Sequence, residues 1–252
     1  MWVKYKMVKR LPLSGSEPIY SPYPWSSAVN SDNCYDYAIG DFERNRNVKS
    51  TPGNRAGISS NGMNFTTCRG IRRRILGDNP KTVHVCQNIN KPCPKGYYKI
   101  MSFVSPDGDF HFYKQIRGVK YRLKKDDTLP NIAKFLRVPL STVRRSVGTF
   151  KIGKLVTIPV NLWAHKQGWG YIPIIVDAKG KTIVDPRYAS RNYPGLNYTK
   201  FCCAYCVKTD KAGSGERSTP GIKTNRSLRK PPNRSRLLST IFGNQRLRRL
   251  LS

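Results

Sequence analysis

Apolar positions are grouped unevenly along the chain, and the grouping predicts the elements. Residues 11–33 mix Pro, Ser and Tyr without a period and predict irregular structure. A helical period opens at Asn33-Cys34-Tyr35-Asp36-Tyr37-Ala38. Asp32 or Asn33 can cap that helix, and the aromatic and alanine positions behind the cap can face a core. Residues 45–64 hold Thr51-Pro52-Gly53-Asn54 and Ser60-Asn61-Gly62 and predict a loop. Phe65 to Leu76 predicts a second helix, whose Arg72-Arg73-Arg74 run reads as a solvated face.

The period then changes to that of strands. Tyr98 to Val104 predicts a strand, Pro106-Asp107-Gly108-Asp109 a turn, and Phe110 to Gln115 the returning strand of a hairpin. A third strand is expected over Tyr171 to Asp177, a short one at Thr182-Ile183-Val184, and a last element over Tyr198 to Val207. The fold class that follows is α+β, an N-terminal helix against an antiparallel sheet. Between the strand sets lies a different pattern. Tyr121-Arg122-Leu123 is a short strand. Leu129, Ile132, Ala133, Phe135 and Leu136 form one helical stripe behind Asp127 or Thr128 as cap, with Pro130 in the permitted first turn. A second helix starts at Pro139 and carries Leu140, Val143 and Val147; Leu155 to Pro159 closes the unit as a strand. Residues 120–160 are therefore expected to form an inserted β-α-α-β module. It interrupts a main domain made of 1–119, with its irregular N-terminal arm, and 161–207. Residues 208–252 hold twelve Lys or Arg and two acids, punctuated by Leu237, Ile241 and Leu250, and read as a partner-binding tail.

Charge narrows the function. Across 252 residues, 46 Lys and Arg stand against 14 Asp and Glu, a formal net charge of +32. Such a surface repels itself unless something anionic is near, which argues against a freely diffusing metabolic enzyme. No stretch approaches the ~20 apolar residues that span a bilayer. Met1 to Leu13 has no continuous apolar run, so a secretory leader is not expected. No cofactor is implied.

The seven cysteines and three histidines carry the candidate chemistry. Cys34 falls at a helix N-terminus, where amide donors favour a thiolate. Such a nucleophile needs an imidazole beside it and a third group to orient that imidazole. His111 lies within a strand and His165 directly after the inserted module; they are the candidate base and orienting residue. His84 lies in a cysteine-containing loop. The other six cysteines can form three pairs without Cys34. Adjacent Cys202 and Cys203 point to opposite faces if extended and would choose different partners. A zinc site is the rival reading, from the two-residue spacing of Cys203 and Cys206, with Cys86 and Cys93 as a looser pair. Asp177 and Asp185 follow apolar strands as carboxylate candidates, or as turn caps. Trp163, Trp169 and Tyr171 either stack on a glycan or pack in the core.

Four resemblances add to this reading. Tyr121–Leu123, Asp127-Thr128-Leu129 and Gly153–Pro159 resemble a LysM domain, a βααβ fold that typically binds N-acetylglucosamine-containing glycans. Asp126 departs from that family's glycine and Lys154 from its glutamine, and Ser146-Val147-Gly148 lacks its asparagine. These changes bear on glycan binding more than on the fold. Ile132 to Arg145 also resembles a helix-turn-helix. The order Cys34, His111, His165 resembles the NlpC/P60 and CHAP branch of papain-like hydrolases, which cleave amide bonds, often in peptidoglycan. Asn33-Cys34-Tyr35-Asp36 replaces that family's Asp-Cys-Ser-Gly. Finally, Asn33–Ala38, Asp109–Gln115, Trp163–Gly168 and Asp177–Arg187 together resemble a little-characterised family of bacteria and large double-stranded DNA viruses. That resemblance implies a structural virion component, a minor capsid protein on a papain-like scaffold. Its partners would be other capsid proteins, packaged DNA or an N-acetylglucosamine-containing glycan. The alternatives are a cysteine amidase or endopeptidase acting on peptidoglycan-like substrates, and a DNA-associated core protein.

Overall fold

The computed structural model describes residues 8–42, 50–58, 67–209 and 212. The expected tail lies outside these apart from Lys208, Thr209 and Ala212. In chain order the elements are β1 (Ile19–Tyr20), a 3-10 turn (Pro24–Ala28), α1 (Cys34–Ile39), α2 (Cys68–Asp78), β2 (Val83–Val85), β3 (Tyr97–Val104), β4 (Phe110–Arg122), α3 (Leu129–Leu136), α4 (Leu140–Val147), β5 (Leu155–Ala164), a 3-10 turn (Pro186–Tyr188), β6 (Asn192–Tyr193), β7 (Leu196–Asn197) and β8 (Lys200–Lys208). This is an α+β fold. None of its described helices is long and apolar enough to cross a membrane.

One sheet organises the chain. β3 lies at its centre, antiparallel to β4 on one side and β8 on the other, with β2 beyond β8. Lys114 pairs with both Ile100 and Ala164, so β3 and β5 flank β4 on opposite edges. Gly118 pairs with both Ile19 and Pro159, which puts the parallel strand β1 on the same edge as β3. Strand alternation sorts the core into two layers. On one face Tyr35, Ala38 and Ile39 of α1 and Ile71 and Ile75 of α2 pack on Ile100, Phe112 and Tyr205. The other face gathers Leu11, Met101, Phe103, Tyr113, Trp163, Ile183 and Tyr198.

The short strands expected at Tyr121–Leu123 and Leu155–Pro159 are the far ends of β4 and β5. Pairing runs without interruption from Lys114↔Ala164 to Arg122↔Leu155, apart from a register shift after Ile116 beside Pro159. A proline has no amide to give to the ladder, and bulges gather at such positions. Helices α3 and α4 fold back at the end of this long hairpin. Thr128 caps α3 by accepting the Asn131 amide, and Ile132, Leu136, Val143 and Val147 are buried between the helices and strands. The module also touches the body: the Thr182 hydroxyl donates to the Phe135 carbonyl, and Arg10 donates to that of Arg137.

Two expectations are corrected. Tyr171–Asp177 and Thr182–Val184 do not form strands; the region makes only single bridges, His165↔Ile174 and Val176↔Thr182. Pro173 lacks an amide, and Asp177 takes the Lys179, Lys181 and Ser190 amides on its carboxylate, turning the chain before a ladder can extend. Cys202 and Cys203 do not point to opposite faces. Ser102 pairs with Cys203 and Phe103 with Phe201, so Cys202 is the extra residue of a bulge, and both cysteines pack on the helix side. Cys202 is disulfide-bonded to Cys68 of α2, and Cys206 to Cys93.

Candidate active site

Cys34 is the first residue of α1. Asn33 starts that helix: its side-chain oxygen accepts the Tyr35 amide at 2.7 Å and the Asp36 amide at 3.3 Å, while the Asp36 carboxylate accepts the Asn33 amide at 2.7 Å. This reciprocal box fixes the entry of the chain into the helix, and so the direction of the thiol. Cys34 is 5% exposed, outside the disulfides, and its sulfur lies 3.7 Å from the Phe110 carbonyl. The neighbouring Asp109 carbonyl accepts from Ser105 on the β3 side. Carbonyls alternate along a strand, so that of Phe110 points to the β5 side. The thiol thus meets β4 at this edge, one residue from His111.

His111 projects from the face opposite α1, beside Tyr113 and stacked on Tyr198, with ring centroids 4.8 Å apart. The Tyr198 hydroxyl donates to Asp109 at 2.9 Å. His165 continues beyond the end of β5, held by its backbone bridge to Ile174. The two imidazoles meet directly: His111 Nε2 lies 2.8 Å from His165 Nδ1, and His165 Nε2 lies 2.9 Å from the Val176 carbonyl. A carbonyl only accepts, so neutral His165 carries its proton on Nε2 and offers a lone pair at Nδ1. His111 then donates from Nε2, and its Nδ1 keeps an unshared pair. That Nδ1 is buried and has no hydrogen-bond partner among the described residues.

Electrostatics keep both rings neutral. Burial pushes His165 down to about 4, against a smaller opposing effect of the Val176 carbonyl. Burial also pushes His111 well below the usual imidazole range, reinforced by His165 and Arg191. The residue after His165 supplies a buried ammonium. Lys166 is buried, and its ammonium donates to the carbonyls of Val29 at 3.1 Å, Asp32 at 2.5 Å, and Gly168. Burial lowers it to about 8, opposed by Asp32, Cys34 and Asp36. The ammonium lies within electrostatic reach of the thiol while tying down the segment that leads into α1.

Other candidates fall elsewhere. Asp177 and Asp185 hold turns: Asp185 accepts the Arg187 amide and pairs with its guanidinium at 2.6 Å. Trp163 is 0% exposed, within the core, so it is unable to contribute to a glycan-stacking surface. Cys203 and Cys206 do not act as a zinc pair, because Cys206 is bonded to Cys93. A separate group of sulfurs, Cys86, Cys93 and Cys206, does converge. Lys166, Tyr198 and Asp109 were not singled out from the sequence. The one local signal was that Lys166 follows His165; burial of its charge is a tertiary property. Comparison of the chain with family models, curated proteins and solved structures finds no match.

Proposed function

We propose that the protein is a cysteine hydrolase of the papain-like, NlpC/P60 type, cleaving amide bonds with Cys34 as nucleophile, His111 as base and His165 as the orienting residue. The observation that carries this reading is the unshared, buried Nδ1 of His111, set by the His165–Val176 relay one residue from the carbonyl that meets the thiol. In the reaction, Cys34 passes its proton to His111 Nδ1 and the sulfur attacks the amide carbonyl. His111 returns the proton to the leaving amine. Water, deprotonated by the same nitrogen, then cleaves the thioester. The βααβ shape of residues 120–160 supports a LysM-like module and, with it, peptidoglycan or a related amide-linked glycopeptide as substrate. The test is digestion of purified peptidoglycan by the full chain and by Cys34→Ala and His111→Ala. Muropeptide release by the parent chain alone supports the reading; equal release by Cys34→Ala removes the nucleophile.

A second reading has its own support in the net charge of +32 and the basic segment 208–252. Here the protein is a minor capsid component in the virion of a large DNA virus, its basic surface set against neighbouring capsid proteins or packaged DNA. Cross-linking of the native particle through Lys208, Lys211, Lys223 and Lys230 separates the cases. Reproducible links to shell proteins support it, and links confined to the nucleoprotein interior favour a DNA-associated core protein.

A further inference from the structure

Away from the Cys34 site, three sulfurs converge on the sheet face opposite α1 and α2. Cys86 follows β2, Cys93 lies in the loop between β2 and β3, and Cys206 is on β8. Their sulfur atoms all lie within 4.8 Å of one another. Two of them form the Cys93–Cys206 disulfide, while Cys86 is a thiol that donates to the Asn88 carbonyl at 3.3 Å. Their exposure differs. Cys93 is 4% and Cys206 2% exposed, whereas Cys86 is half-buried. Lys99, opposite Cys206 on β3, is fully buried. Its ammonium donates to the Ile89 and Lys91 carbonyls, each at 2.8 Å, and so pins the loop that joins Cys86 to Cys93. Burial lowers the Lys99 ammonium, opposed most by its interaction with Cys86. A buried ammonium beside these sulfurs disfavours a bound metal cation.

We propose that Cys86, Cys93 and Cys206 form a thiol–disulfide exchange site, in which Cys86 is the entry sulfur for small thiols and disulfides. Cys86 releases its proton to solvent and its thiolate attacks the Cys93 sulfur. The Cys86–Cys93 bond forms, the Cys93–Cys206 bond breaks, and Cys206 leaves as a thiolate that takes up a proton. Attack on Cys206 yields the Cys86–Cys206 bond and frees Cys93 in the same way. Either exchange is redox-neutral. It moves the disulfide from a buried position to one that includes the half-buried sulfur. The thiolate of an external small thiol then attacks Cys86, forms a mixed disulfide and expels the second protein thiolate. A second thiol resolves the mixed disulfide, so the protein gains two electrons and the small thiol is oxidised to its disulfide. The reverse sequence, starting from a small disulfide, closes the site. The free thiol of Cys203 follows Cys202 in sequence but does not converge with it and Cys68 as the other three sulfurs do, so the Cys68–Cys202 bond serves as the internal reference.

The experiment incubates the native full chain and Cys86→Ser with glutathione, followed by acid quenching, alkylation and peptide mapping. Opening of Cys93–Cys206 is expected to slow by about tenfold or more in Cys86→Ser, with Cys68–Cys202 opening at the same rate in both proteins. Equal rates for Cys93–Cys206 overturn the proposal. A second variant guards against a folding artefact. Cys93→Ser, isolated under oxidising conditions with Cys68–Cys202 intact, is expected to contain a Cys86–Cys206 disulfide. Recovery of Cys86 and Cys206 both as thiols overturns it equally.

Discussion

Across a 2.8 Å contact, His165 decides which nitrogen of His111 carries a proton. The Val176 carbonyl holds the His165 proton on Nε2, and the lone pair left on Nδ1 can be met only by a donor. His111 is thereby held as the Nε2–H form, with its basic nitrogen on Nδ1. His165 is a positioning residue in this scheme, since it acts on the reacting atoms only through His111.

That role predicts a graded response to substitution. His165→Ala is expected to lower kcat by about 10²-fold, with Asn at the same position recovering part of the loss by offering a side-chain acceptor. The readout that a merely structural role would not move is the nitrogen NMR signature of His111. Its protonated Nε2 and bare Nδ1 should be distinct in the parent chain and averaged between tautomers in His165→Ala. A parent spectrum showing Nδ1 protonated would remove the relay.

Acid should destabilise the fold through the same pair. His165 has a folded pKa of about 4, below its unfolded value near 6.5. Between those values the unfolded chain binds the extra proton, so stability falls as pH drops from about 6.5 to 4. Full titration of His165 alone corresponds to roughly 3 kcal/mol, and His111 acts in the same direction. Urea midpoints measured between pH 7 and pH 4 should fall steadily, and more shallowly in His165→Gln. Identical pH slopes in the two proteins would mean that His165 is not buried neutral.

The Cys68–Cys202 bond joins α2 to the bulge of β8 across 134 residues of sequence. Closing so long a loop restricts the unfolded chain, and Cys202→Ser is expected to cost about 2–5 kcal/mol. Denaturation of the variant alongside the parent chain measures this directly. An unchanged midpoint would show that α2 is held by packing alone.

Continuity of β4 and β5 predicts that residues 120–160 unfold with the sheet. Leu136 is 0% exposed between α3 and the strands, and Leu136→Ala should cost about 2–5 kcal/mol. The informative measurement is native-state amide exchange at Val156, inside 120–160, and at Leu162, beyond it on β5, which pair with Tyr121 and Ile116. Both amides should speed up together in the variant. Faster exchange at Val156 alone would mark the module as an independent unit.

The sequence by itself determined what depends on neighbours a few residues away. The Asn33 cap and the helix behind it, the Tyr98–Val104 and Phe110–Gln115 hairpin, and the two helices after Thr128 were legible because caps, turns and periodicity act within one or two turns of chain. Cys34, His111 and His165 could be nominated from residue type and order. Tertiary structure decided what depends on distant partners. It fused the strands at either end of residues 120–160 into β4 and β5, because pairing rewards a ladder that continues. A bulge turned Cys202 toward α2, where alternation alone would have sent it to the other face. Three backbone carbonyls hold the buried Lys166 ammonium in place, and the Val176 carbonyl, eleven residues beyond His165, set which nitrogen of each histidine carries the proton. These last properties are sums over groups that meet only once the sheet has formed, and no local pattern of residues encodes them.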